Sequence, residues 1–148
     1  MLLGKVFKNI NKKYKSIKFK EIRFNSRECK SNDIFFSIIG NNSNGNDYIN
    51  DAINNGAKII VSNIKFEGFN KNKILFIHCK EPRKLLAETA SNFYIKKPKN
   101  IIAVTGTNGK TSIANFYYQI LTLNNKRAAA IGTLGILSRK LNLKTNNT

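Results

Sequence analysis

The chain has 148 residues, 41% of them hydrophobic and 10% aromatic, enough for one ordinary domain or for a small domain plus part of another. That composition excludes a disordered chain, and no apolar run approaches the roughly 20 residues that span a bilayer. The formal net charge is +18, but Lys (21) is spread along the whole chain beside Asn (23) and Ile (20), with only five Arg. Lys reads phosphates and bases less specifically than Arg, so a basic nucleic-acid-binding protein is the lesser reading. The positive field suits capture of a polyanionic small substrate.

In chain order, Leu2, Leu3, Val6, Phe7 and Ile10 fall at helical spacing and predict an amphipathic first helix rather than a secretory leader. Asp33 to Ile39 carries an apolar run ended by Gly40 and reads as a buried strand. Asn41 to Asn46 is dense in turn formers and reads as a loop. A helix is expected from Asp47, as its N-cap, to Asn55, with Gly56 as its stop. Lys58 to Ser62 and Ile74 to Cys79 read as strands. Pro82 suits the first turn of a helix running to about Tyr94, with Leu85, Leu86, Ala90, Phe93 and Tyr94 on its buried side.

Ile95 to Asn100 is a polar stretch with one of the two prolines and separates two domains, 1–97 and 98–148. Beyond it, Ile101 to Thr105 is a short β-branched strand candidate. A glycine loop follows, then a helix from Thr111 to about Leu123 and a strand over Ala128 to Ile131. Strand, glycine loop, helix and strand begin a parallel α/β sheet. The fold class is therefore α/β, a small complete domain followed by the truncated start of a parallel-sheet, P-loop domain.

Cys29 and Cys79 lie in no metal-binding or redox spacing and read as ordinary thiols of a cytoplasmic protein. His78, alone in an apolar run, reads as a strand residue without a chemical role.

The loop Gly106-Thr107-Asn108-Gly109-Lys110-Thr111-Ser112 is the segment that carries chemistry. Glycine lets successive backbone N–H groups aim at an anion, and the following helix adds its unsatisfied N–H groups and the positive end of its dipole. Lys110 supplies a cation for the β- and γ-phosphates, and the Thr111 hydroxyl is the expected ligand of Mg²⁺. ATP and Mg²⁺ are thus the expected cofactors. The general pattern GxxxxGK[ST] places a glycine where this chain has Val104, so the loop is a shortened form.

Thr105 to Thr111 resembles the ATP loop of the Mur ligases, the ATP-dependent amide-forming enzymes of peptidoglycan synthesis. Further matches extend along the chain. Phe24-Asn25-Ser26-Arg27 is similar to the family's DSR segment, with Asn25 in place of Asp. Asp33-Ile34-Phe35-Phe36 with Gly40 resembles its D-L-F-x-A…G strand. Gly45 to Ile49, with Ala52 and Gly56-Ala57, resembles its DG-x-x-(Y/F)-I…A…GA helix. Ile131 to Gly135 resembles a GT-x-G segment, and Thr145-Asn146-Asn147-Thr148 the beginning of T-x-N-T-T-P.

The resemblance implies that domain 1–97 binds a UDP-sugar and that 98–148 begins the central ATP-binding domain. The last two segments favour the member that adds the third stem-peptide residue. Its partners would be UDP-MurNAc-L-Ala-D-Glu and a diamino acid, diaminopimelate or lysine, handled by a monomer without nucleic acid or membrane. The resemblance also assigns Phe24, Ser26, Asn42, Ser43 and Asn44 to the UDP end, Asn147 and Thr148 to the muramoyl dipeptide, and Lys110 to catalysis. It implies that the remaining ligands and the acceptor-binding domain lie beyond Thr148, so the 148 residues alone are expected to show no ligase turnover. Within the superfamily the alternatives are the D-alanyl-D-alanine-adding ligase and folylpolyglutamate synthase.

Overall fold

Residues 1–41 and 43–144 are described in a computed structural model of the chain. They form two units, Met1–Lys97 and Pro98–Thr148.

In the first unit, unbroken apolar runs become strands buried on both faces, as parallel sheets require. The strands are β1 (Ile22–Arg23), β2 (Ile34–Phe36), β3 (Ile59–Ser62), β4 (Gly68–Phe69) and β5 (Leu75–His78), and the sheet order is β1-β2-β3-β5-β4. β1, β2, β3 and β5 run parallel, and β4 closes the edge antiparallel to β5. Register explains how one sheet serves two cores. Ile22, Ile34, Ile59 and Leu75 line up across the four parallel strands, and Phe36, Val61 and Ile77 form the next row on that face. The alternate residues Phe35 and Ile60 point to the opposite face, with Phe76 beside them.

Helices α1 (Leu3–Val6) and α3 (Pro82–Phe93) cover the first face, where Leu3, Val6, Phe7, Leu85, Leu86 and Phe93 join the core. Helix α2 (Ile49–Asn54) covers the second with Ile49 and Ala52, next to Cys29 and Ala57. The unit is thus a three-layer α/β/α sandwich. Asp33, buried at the amino end of β2, accepts backbone N–H groups of Glu21 (3.2 Å) and Lys30 (3.0 Å) and pairs with Arg23 Nε at 3.4 Å. It ties β1 to β2.

Several local readings change. The first helix is a single turn, although Leu3, Val6 and Phe7 are buried as its spacing implies. Asp47 is not the N-cap of α2: that position falls to Tyr48, without a side-chain capping bond, and the capping side chain is Asn44, which accepts the N–H of Asn46 at 3.0 Å and opens a 3-10 turn over Gly45–Tyr48 ahead of the helix. Gly56 does stop the helix, at φ +109°, where a Cβ would lie 2.8 Å from the Ser31 nitrogen. Tyr94 falls just past α3 and is exposed, whereas Thr89 takes a fully buried position on that helix. β1 and β4, two residues each, are too short to leave a periodic signature.

In the second unit, helix α4 (Lys110–Leu123) precedes an antiparallel meander of β6 (Ala129–Gly132), β7 (Gly135–Ser138) and β8 (Asn142–Leu143). Ile101–Thr105, expected as a strand, takes no strand assignment. A parallel strand exists only through its ladder, and this segment has no ladder partner among the described residues. β6 accordingly pairs with the chain that turns back on it, antiparallel, rather than with the segment before the glycine loop. Among the described residues no helix is long and apolar enough to cross a membrane.

Candidate functional site

Two places gather the residues singled out by sequence, one in each unit.

In the second unit, Gly106 (φ +145°) and Gly109 (φ +76°) hold backbone conformations that side chains resist, and Gly109 is the residue at which α4 begins. A Cβ on either would meet nothing closer than 3.9 Å, so conformation rather than space demands glycine here. Lys110 folds back over the loop: its Nζ donates to the carbonyl oxygen of Gly106 and, at 2.9 Å, to that of Thr107. The carbonyls are thereby turned toward the lysine, and the loop backbone is set around a cation at the positive end of a fourteen-residue helix. The hydroxyl of Thr111 donates to that of Thr133 at 3.4 Å. Thr133 stands on the two-residue turn between β6 and β7. Gly135 (φ +97°) follows that turn at the start of β7, where a Cβ would collide with the Leu143 oxygen of β8. A shallow pocket between helix and turn is lined by Thr111, Ala114, Asn115, Gly132, Thr133 and Leu134.

This arrangement presents donors and positive charge to an anion. It offers a divalent ion one hydroxyl ligand, and no group of three or more His, Cys, Asp or Glu is gathered among the described residues. One hydroxyl suits Mg²⁺, which keeps waters and substrate phosphate oxygens in its shell rather than a protein cage.

In the first unit the parallel strands deliver their carboxyl ends to one edge, the side on which open α/β sheets bind ligands. Phe24 leaves the end of β1 with 69% of its surface exposed, while Ser26 is buried at the start of a 3-10 turn, its carbonyl accepting from Asn55 Nδ2 at 3.0 Å. Asn25 caps that turn, its Oδ1 accepting the N–H of Arg27 at 3.1 Å, a task needing only an oxygen. Its Nδ2 meanwhile donates to Glu28 at 3.1 Å, which a carboxylate would not do. After β2 the chain makes a narrow loop: Gly40 N–H donates to the Ser43 carbonyl, Gly45 N–H to that of Ile38, and Ile39 bridges Asn44. Ser43 and Asn44 are exposed on it. Asn42, Asn147 and Thr148 lie outside the described residues.

Phe24, Ser26, Ser43 and Asn44 therefore share one sheet edge. Sequence reading missed a polar chain on the same edge. The Ser37 hydroxyl donates to Asn46 Oδ1 at 2.6 Å, and Asn46 Nδ2 donates to Asn63 Oδ1 at 2.9 Å. The only hint was Ser37, a polar residue set within an otherwise apolar strand run. Asn46 was hidden among turn formers, and Asn63 carries no motif. Two side groups are excluded from chemistry by their surroundings. Burial pushes the Cys29 thiol up to about 11, and the ring of His78 is engaged with the Ile64 carbonyl at 2.9 Å.

Residues 18–94 match the family described as "Mur ligase family, catalytic domain", and residues 104–148 match "Mur ligase middle domain". The chain is 42% identical over 131 residues to UDP-N-acetylmuramoyl-L-alanyl-D-glutamate--2,6-diaminopimelate ligase of Rickettsia prowazekii, covering 86% of this chain and 26% of that protein. The protein of the same name from Clostridioides difficile is 36% identical over 137 residues, covering 90% and 27%. The chain thus spans about a quarter of the length of the curated relatives it matches.

Among solved structures, MurF ligase from Thermotoga maritima in complex with ADP is 28% identical with a TM-score of 0.57, covering 74% of this chain and 24% of that one. A structure of UDP-N-acetylmuramoyl-L-alanyl-D-glutamate--2,6-diaminopimelate ligase shares the fold with a TM-score of 0.64 at 24% identity, covering 88% and 27%. With the family match covering more than half its length, this chain belongs to the Mur ligase family.

Proposed function

We propose that the chain is the nucleotide-sugar-binding and ATP-loop portion of an ATP-dependent ligase that joins diaminopimelate to UDP-MurNAc-L-Ala-D-Glu. Unit 1–97 takes the UDP-sugar at the carboxyl edge of its parallel sheet, with Phe24, Ser26, Asn42, Ser43 and Asn44 toward the UDP end. Asn147 and Thr148 approach the muramoyl dipeptide. Residues 98–148 supply the ATP loop of the central domain. The acceptor follows the names of the curated relatives, and the nucleotide follows the ADP of the Thermotoga maritima structure.

The observation that carries the reading is the loop itself, with Gly109 in a left-handed conformation at the start of α4 and Lys110 folded over it. When bound, ATP would give its γ-phosphoryl group to the D-glutamate carboxylate with ADP leaving, and an amine would then displace phosphate from the acyl phosphate to form the amide and release a proton. The chain's own part is electrostatic. The N–H groups of the loop and of the first turn of α4 hold the β- and γ-phosphates, and Lys110 moves from its carbonyl partners onto their oxygens. The Thr111 hydroxyl would hold Mg²⁺, which would neutralise charge on the phosphoryl group being transferred.

Binding of a fluorescent ATP analogue with Mg²⁺ to the purified chain tests this. Lys110→Ala is expected to weaken binding by at least about tenfold, equivalent to about 1.4 kcal/mol, with an unchanged melting temperature. Equal affinity of wild type and variant would refute the assignment of the loop. The 148 residues alone are expected to form no amide product.

A further inference from the structure

The polar chain at the sheet edge has a direction. Ser37 is 1% exposed, and its single hydroxyl proton is given to Asn46 Oδ1. That fixes the Asn46 amide with its NH₂ group turned away, toward Asn63, where it donates to Oδ1. Asn63 must then present its own NH₂ group outward. Those two N–H donors have no partner among the described residues, although Asn63 is half-buried just past the end of β3. β3 lies between β2 and β5, at the middle of the parallel edge. The same Asn46 belongs to the turn that closes the Ile38–Gly45 loop, so the loop and the Asn63 amide are set by one hydrogen-bonded unit. A half-buried group that can only donate calls for an acceptor oxygen.

We propose that Asn63 is a ligand-binding residue, its Nδ2 donating to an acceptor oxygen of the UDP part of the nucleotide sugar, with Ser37 and Asn46 as positioning residues. This rests on unit 1–97 being the UDP-sugar-binding unit. Calorimetry on the full 148-residue chain, with UDP and with UDP-MurNAc-L-Ala-D-Glu as separate ligands, tests it. Asn63→Ala is expected to weaken both by about tenfold. Asn63→Asp, which keeps the shape and turns an oxygen toward the ligand, is expected to weaken both at least as much. A melting temperature within about 2 °C of wild type is expected for Asn63→Asp, in which only the outward group changes and Oδ1 still accepts from Asn46, so its loss of affinity reads the outward donor and not the fold.

Wild-type affinity in both variants overturns the proposal. So does a loss seen with the muramoyl dipeptide ligand and not with UDP, because the acceptor would then lie outside the UDP part. If the wild-type chain binds neither ligand, the UDP-sugar reading of the unit fails and this inference falls with it, an outcome distinct from variants that merely match a binding wild type.

Discussion

At the scale of single residues, burial sorts the two cysteines. Cys29 is enclosed against Phe35, Ile49, Ala52 and Ile60, and loss of solvent raises its thiol from the ordinary 9.0 to about 11, with the Asp33 carboxylate adding to the rise. Cys79 is half-buried. At pH 8.5 one thiol per folded chain, Cys79, is expected to react promptly with iodoacetamide, and Cys29 only after denaturation, as read by mass spectrometry. The raised value also has a consequence for stability. The folded chain keeps the Cys29 proton to higher pH than the unfolded chain does. The contribution is therefore whole below about pH 9 and is lost as pH climbs toward about 11. Cys29→Ala should show a shallower fall of the urea midpoint across that interval than wild type.

At the scale of elements, the loop between β2 and α2 depends on a close approach of backbone to backbone. A Cβ on Gly45 would lie 2.4 Å from the Ile38 nitrogen and 2.6 Å from its oxygen, and neither atom can rotate away. Gly45→Ala must therefore displace the loop that carries Ser43 and Asn44. A loss of about 3 kcal/mol in urea denaturation is expected, with weakened UDP binding alongside. Gly132→Ala, where a Cβ would meet nothing within 4 Å, serves as the control and should leave both quantities nearly unchanged.

At the scale of the whole molecule, the two units differ in how far their apolar surface is covered. The first buries rows of Ile, Val, Leu and Phe on both faces of its sheet. In the second, α4 has no buried residue, and Ile113, Phe116, Tyr117, Ile120 and Leu123 form an exposed stripe at helical spacing. Ile101, Ile102 and Ile131 are exposed as well. A polypeptide of residues 1–97 is expected to unfold cooperatively and to bind no hydrophobic dye, whereas the 148-residue chain binds the dye strongly. Dye binding by 1–97 equal to that of the full chain would show that the first unit's core is incomplete alone.

Much of this was present in local patterns, because local physics decides it. Short apolar runs marked β2, β3 and β5. Pro82 and a 3.6-residue period marked α3, and two glycines spaced around Thr107 and Asn108 before a lysine marked the glycine loop. The caps and edges were not legible. Asn44 rather than Asp47 caps the turn because the Ile38–Gly45 closure leaves Asn44 outside the first turn with its oxygen facing Asn46. β1 and β4 exist only because β2 and β5 offer them a ladder. Ile101–Thr105 had every property of a strand and is not one here, since strand formation is settled by a neighbour and not by composition. The sequence by itself determined the α/β character, the two-unit division and the place of the glycine loop ahead of α4, all set by short-range spacing. Only the tertiary structure decided that Ser37, Asn46 and Asn63, separated by up to twenty-six positions, align at one sheet edge, because hydrogen-bond direction and burial are properties of packed neighbours.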